Sequence, residues 1–107
     1  MEGNNIDLVF GELQRIGQCS SRSQFSRDWL GRETSYYRSI QSKGLRPNIE
    51  AQVNLAARLR DLGMCLGSSE YPGVAAIGKT YLKLYGELLD ALLTSAQSDM
   101  KWLDGHS

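Results

Sequence analysis

At 107 residues the chain suits one domain, and at that size roughly two-thirds of the unfolded surface can be buried. With 41% hydrophobic and 22% charged residues its composition is that of an ordinary folded domain, and no apolar run approaches the roughly 18 residues that argue for a membrane span. Net charge is zero but uneven: residues 18–62 hold eight bases and four acids, a net +4, and the remainder holds four and eight, a net −4. A basic block inside a neutral chain is the footprint of a phosphate-binding face, and equally of a solvated helix surface. The opening MEGNNIDLVF is acidic and polar where a secretory signal is basic then apolar, so a cytoplasmic protein is expected. Cys19 and Cys65 lack a C-x-x-C spacing and His106 is the one histidine, so neither a metal site nor a cofactor is expected. The two thiols read as free and half-buried.

In chain order, Asn4 or Asn5 can cap a first helix in which Ile6, Val9, Leu13 and Ile16 recur at helical spacing beside Phe10. Gly17 ends it, and residues 18–22 form a polar connector. Ser23 is the expected N-cap of a second helix with Phe25, Trp29 and Leu30 as its apolar residues, stopped by Gly31. Thr34 can cap a third, in which Tyr37 and Ile40 face inward and Ser35, Tyr36, Arg38, Ser39 and Ser42 are left outside. After the breaker KGLRP, Asn48 caps a fourth helix with the stripe Ile49, Val53, Ala56, Leu59 and Leu62, broadened by Leu55 and Ala57. Residues 63–73 read as a linker.

A long last helix is expected from about Val74 to Trp102. One row holds Val74, Ile77, Tyr81, Leu84 and Leu88; a second holds Leu82, Tyr85, Leu89 and Leu92. Gly78 and Gly86 weaken this helix by about 1 kcal/mol each relative to alanine, so packing must compensate. The fold class is therefore all-α: a bundle of about four helices over residues 1–63, then a linker and a long C-terminal helix over residues 64–107 that serves dimerisation or core packing.

A short helix, a glycine turn and a second short helix with polar outward positions is the helix-turn-helix pattern. Residues 23–62 resemble the Cro/repressor-type helix-turn-helix family, with a lambda-repressor-like bundle. Ser23-Gln24 look like the opening of its first motif helix, Gly31 like its turn glycine, and Tyr37 and Ile40 like the apolar positions six and nine residues later. Gly44 to Pro47 looks like the connector, and NLAARL, residues 54–59, like the fourth helix. The sequence departs where that family places a large apolar residue and an alanine five and four positions before the glycine; here these are Ser26 and Arg27. Gln41 stands where an acidic residue is usual, and the connector has one additional residue before Gly44. The FSRDWLGR…SYY flavour is also similar to small bacterial helix-turn-helix proteins that carry no assigned function.

The resemblance implies binding to double-stranded DNA as a transcriptional regulator. It implies that Gln24 meets a phosphate and that Thr34, Ser35 and Ser39 face base edges, with Tyr36 and Arg38 nearby. Arginine can chelate guanine, so Arg38 is the residue on which specificity rests. Lys43 and Arg46 are the expected phosphate contacts, with Arg32 and Arg22 as further candidates. Selective reading by so small a motif favours a homodimer, for which Tyr85, Leu89, Leu92 and Ala96 of the last helix are the candidate interface. The alternative is a protein-interaction module that keeps the fold without DNA. GVAAIGKT, residues 73–80, matches the P-loop pattern by letter, with Lys79 and Thr80 in its last positions. No strand precedes it and no second strand follows, so a helix start is expected there and no nucleotide. No catalytic constellation stands out; Glu87 and Asp90 read as a solvated acidic patch, and the chain is not expected to be an enzyme.

Overall fold

In the computed structural model every element among the described residues is a helix. The structure describes residues 5–104, with side chains over 6–94. The expected caps Asn4 and Asn5, together with Ala96, Trp102 and His106, lie outside the described side chains. Helix α1 is Asn5–Arg15. Helix α2 opens as one α turn, Arg22–Gln24, and runs on as a π-helical turn, Phe25–Trp29. Helix α3 is Tyr36–Lys43, α4 is Ile49–Gly67 and α5 is Pro72–Asp104. No described helix is long and apolar enough to cross a membrane.

Local chemistry sets most of the boundaries. Gly31 turns the chain at φ +65 and sits against Asn54, whose amide donates to the Leu30 carbonyl at 3.1 Å. After α3 the amide of Gly44 donates to Gln41 O and that of Leu45 to Ile40 O, the paired closure of a Schellman stop. The Asn48 side chain accepts from the Ala51 amide at 2.8 Å and caps α4 as expected. Two expected caps move. Ser21, not Ser23, caps α2, because its hydroxyl accepts from the Gln24 amide at 3.1 Å while Gln24 reaches back to Ser20, an arrangement close to a capping box. Thr34 lies in a turn, and α3 begins two residues after it.

A single apolar cluster joins every helix. Phe10, Phe25 and Tyr37 form a triangle with centroids 4.9–5.1 Å apart, one ring each from α1, the π turn and α3. Trp29 meets Tyr81 of α5 edge-on at 5.5 Å. Tyr81, Leu84 and Leu88 bury the inner row of α5 as expected, and Leu92 packs beside them.

The α4–α5 pair departs from expectation in two ways. The linker shrinks to residues 68–71, because Gly63 and Gly67 belong to α4 and let α5 come close. A Cβ on Gly78 would stand 2.2 Å from the Gly67 backbone nitrogen, and one on Gly63 would stand 2.7 Å from Leu82. This approach also turns α4. Ala51, Leu55, Ala56 and Leu59 face the core, while the expected stripe members Ile49 and Val53 are exposed. The helix is apolar on two flanks, so periodicity alone could not choose between them.

Gly78 and Gly86 of α5 should therefore respond in opposite directions. Gly78→Ala should cost about 1–3 kcal/mol, because the helices must part to admit the methyl. Gly86, with nothing within 4 Å of an added Cβ, should gain up to about 1 kcal/mol as alanine. Urea unfolding of the two variants checks the difference in sign.

Candidate nucleic-acid interface

The corner between α2 and α3 is held by one buried hydroxyl. Ser26 Oγ donates to the Arg22 carbonyl at 3.0 Å and accepts from the Tyr37 amide at 2.9 Å. That amide is one of the open donors of the first turn of α3, and the N-cap residue Ser35 makes no side-chain cap bond. Ser26 thus caps α3 from the neighbouring helix. Its carbonyl also accepts from the Arg32 amide at 2.9 Å, which closes the glycine turn. The π turn, with the Leu30 amide donating to Phe25 O at 3.0 Å, carries one residue more than an α turn; Phe25 and Ser26 are buried together at its start.

A polar chain continues from this joint to the surface. The Tyr37 hydroxyl donates to the Asp7 carboxylate of α1, and Gln41 Nε2 donates to the same oxygen at 3.4 Å. Arg22 Nε donates to Gln41 Oε1 at 2.6 Å. Arg38 of α3 reaches the other way and donates to Ser23 Oγ at 2.9 Å. The two exposed arginines cross the α2–α3 seam in opposite directions, each held by a neutral partner. Neither forms an ion pair with a described residue, whereas Arg15, Arg27 and Arg60 each lie on an adjacent carboxylate.

The expected DNA-facing residues separate into two groups. Thr34, Ser35, Arg38, Lys43 and Arg46 are exposed, Ser39 is half-buried, and Ser42 joins them on the outward side of α3. Gln24, Arg32 and Tyr36 are engaged in building the corner. Gln24 Oε1 accepts from the amide and the hydroxyl of Ser20, both at 2.8 Å. Arg32 lies 5.1 Å over the Tyr36 ring and 3.6 Å from Glu50, and the Tyr36 hydroxyl accepts from the Asn48 amide at 2.9 Å. Sequence reasoning missed Gln41 and Ser26. Both stood out only as departures from the resembled family; their roles depend on contacts 11 and 34 residues away.

Elsewhere, Tyr85 and Leu92 of the expected dimer surface pack partly on the chain's own core, while Leu89 is exposed. Residues 73–80 lie inside α5; Thr80 turns its hydroxyl back to the Ala76 carbonyl at 3.1 Å, and Lys79 is exposed. Cys19 is buried and Cys65 exposed, and burial pushes the Cys19 thiol up. No cluster of three or more metal-binding side chains occurs among the described residues. An open groove of about 640 Å³ runs between α1 and α5, but its rim sets Asp7, Glu12 and Glu87 among Arg15 and Lys83, with Glu12 and Arg15 already paired at 2.6 Å.

Residues 6–103 match the model of a family described as a family of unknown function, DUF6626. The chain belongs to that family. Curated proteins and solved structures give no match. The DUF6626 match runs from the first buried residue of α1 almost to the end of α5, so it takes in both the α2–α3 corner and the α4–α5 pair.

Two measurements probe the joint in this DUF6626 chain. Ser26→Ala strands the Tyr37 amide and should cost about 1–3 kcal/mol in denaturant unfolding. Burial, and then the hydrogen bond to Asp7, hold the Tyr37 phenol far above its ordinary range. The unfolded chain releases that proton near pH 10 and the folded chain keeps it, so stability present below about pH 10 is lost as the pH rises further. Tyr37→Phe should show a shallower alkaline loss in thermal melts; Tyr81, also shifted upward by burial, accounts for part of what remains.

Proposed function

We propose that this protein binds double-stranded DNA through a helix-turn-helix formed by α2 and α3, and acts in the cytoplasm as a small homodimeric transcriptional regulator. The observation that carries the reading is the crossed pair Arg22–Gln41 and Arg38–Ser23. It holds two exposed guanidiniums on one seam, neither ion-paired with a described residue, beside the serines of α3 and the exposed Lys43 and Arg46. A guanidinium has five donors, so one bond to a serine or an amide leaves an edge for a phosphate or a guanine.

The π turn supports the same reading. The Cro/repressor-type family is expected to place a large apolar residue and a small one five and four positions before the turn glycine. In this chain Phe25 and Ser26 stand six and five positions before Gly31, and both are buried. The additional residue of the π turn absorbs that one-step offset, so the bulky residue and the small one keep their roles. Ser26 meets α3 where an alanine would, and it adds a hydrogen bond there. A protein-interaction module is the second reading, favoured by the exposed apolar residues at the start of α4.

Salt-dependent binding to random and selected duplexes tests the proposal. Lys43→Ala should weaken every duplex alike and flatten the salt slope by about one. Arg38→Ala should cost about 1–3 kcal/mol on the best site and little on random DNA. No binding to any duplex at low salt, or unchanged binding in both variants, would overturn it.

A further inference from the structure

Gln24, the residue expected to meet a phosphate, is turned inward. Its carbonyl oxygen accepts from the amide and the hydroxyl of Ser20, both at 2.8 Å. Two residues earlier, Arg22 stands exposed at the start of α2. It is held at both ends. Its backbone carbonyl accepts from the buried Ser26 hydroxyl at 3.0 Å, and its Nε donates to Gln41 Oε1 at 2.6 Å.

The Gln41 amide has a donor end and an acceptor end, and α1 decides which of them meets Arg22. Gln41 Nε2 donates to Asp7 Oδ1 at 3.4 Å, and the Tyr37 hydroxyl donates to the same oxygen. An ionised carboxylate only accepts, so the nitrogen of Gln41 faces Asp7 and its oxygen faces α2. A guanidinium only donates, and it meets that oxygen. Donors and acceptors therefore match along the whole path from α1 through α3 to α2. Each helix contributes one residue to it: Asp7, Gln41 and Arg22.

Held through Nε, Arg22 keeps both terminal nitrogens for an outside partner. That edge of a guanidinium pairs with two oxygens of one phosphate. A long side chain already held in place loses less freedom when it binds than a free one does. In a helix-turn-helix the first motif helix crosses the nucleic-acid backbone and the second enters the groove. Arg22 belongs to the first, so its charge meets backbone, whereas Arg38 is on the second.

We propose that Arg22 is the phosphate clamp of this interface and that Gln41 and Asp7 are its positioning residues, so that an acidic side chain of α1 strengthens binding to DNA. The inference rests on the DNA-binding reading above, and it moves the phosphate contact expected of Gln24 to Arg22.

The test is titration of the full chain with random-sequence and selected duplexes over a range of salt, with a melting curve for each variant. Arg22→Ala should weaken both duplexes by about tenfold, flatten the salt slope by about one and leave their ratio unchanged. Gln41→Leu, at an exposed site, should weaken both by about three- to tenfold with the slope kept, because the charge remains. Added to Arg22→Ala, it should change nothing further. Asp7→Ala should weaken binding to a similar extent. Long-range electrostatics alone gives the opposite sign, because a negative charge has been removed. Asp7→Asn keeps the accepting oxygen without the charge and should bind at least as tightly as the wild type. If Asp7→Ala fails to fold, Gln41→Leu decides the question. Unchanged binding in Arg22→Ala, or a loss confined to the selected duplex, would overturn the clamp. Undiminished binding in Gln41→Leu, or an equal loss from it with and without Arg22, would overturn the positioning roles. Tighter binding by a folded Asp7→Ala protein would do the same for Asp7. A wild type that binds neither duplex overturns the DNA-binding reading itself, and this inference with it.

Discussion

The corner of this protein depends on a serine hydroxyl with no exposure to solvent. Ser26 bonds the carbonyl behind it in its own helix and the second amide of α3, so the two helices share one polar atom. A buried donor without a partner is costly, and this bond removes that cost at a helix start which its own cap residue does not serve. The aromatic triangle of Phe10, Phe25 and Tyr37 closes around the joint and excludes water from it. Tyr37 takes part in both arrangements, with its amide on Ser26 and its hydroxyl on Asp7. The angle of α3 is thus set by hydrogen bonds at one end of a residue and by ring packing along its length.

A second constraint organises the other half. Glycines at 63, 67 and 78 let the α4 and α5 backbones approach at the closed end of their hairpin. The same seam carries isoleucine, valine and leucine at its far end. Helix propensity is sacrificed at Gly78 for the close approach, and Trp29 against Tyr81 ties the pair back to the α2–α3 corner.

The face proposed for DNA is distinguished by how its cations are held. An arginine beside an adjacent carboxylate is already neutralised, as Arg15, Arg27 and Arg60 are. Arg22 and Arg38 are oriented by an amide and a hydroxyl and keep their full charge. Gln41 matters here because it stands where the resembled family has an acid. A carboxylate at that position would stand where Arg22 donates and offset its charge. The residues engaged in the corner, Gln24, Arg32 and Tyr36, act on that face by fixing the turn and the connector.

Much of the architecture was legible in the sequence because it is decided within a few residues. Asn48 caps α4 through an amide three residues on, Gly31 and Gly44 turn the chain where other residues are strained, and Tyr37 and Ile40 share the inward side of α3 by spacing alone. Tertiary structure decided what depends on meeting another element. It chose which apolar flank of α4 is buried, since α5 could approach only along the glycines. It extended α4 through residues that read as a linker, and it placed the π turn. It also gave Ser26 and Gln41 their roles, because their partners lie 11 and 34 residues away. Periodicity shows that a face is apolar, and capping signals show where a helix can start. Neither carries the relative placement of two helices, and that placement decided which arginines form no ion pair with a described residue.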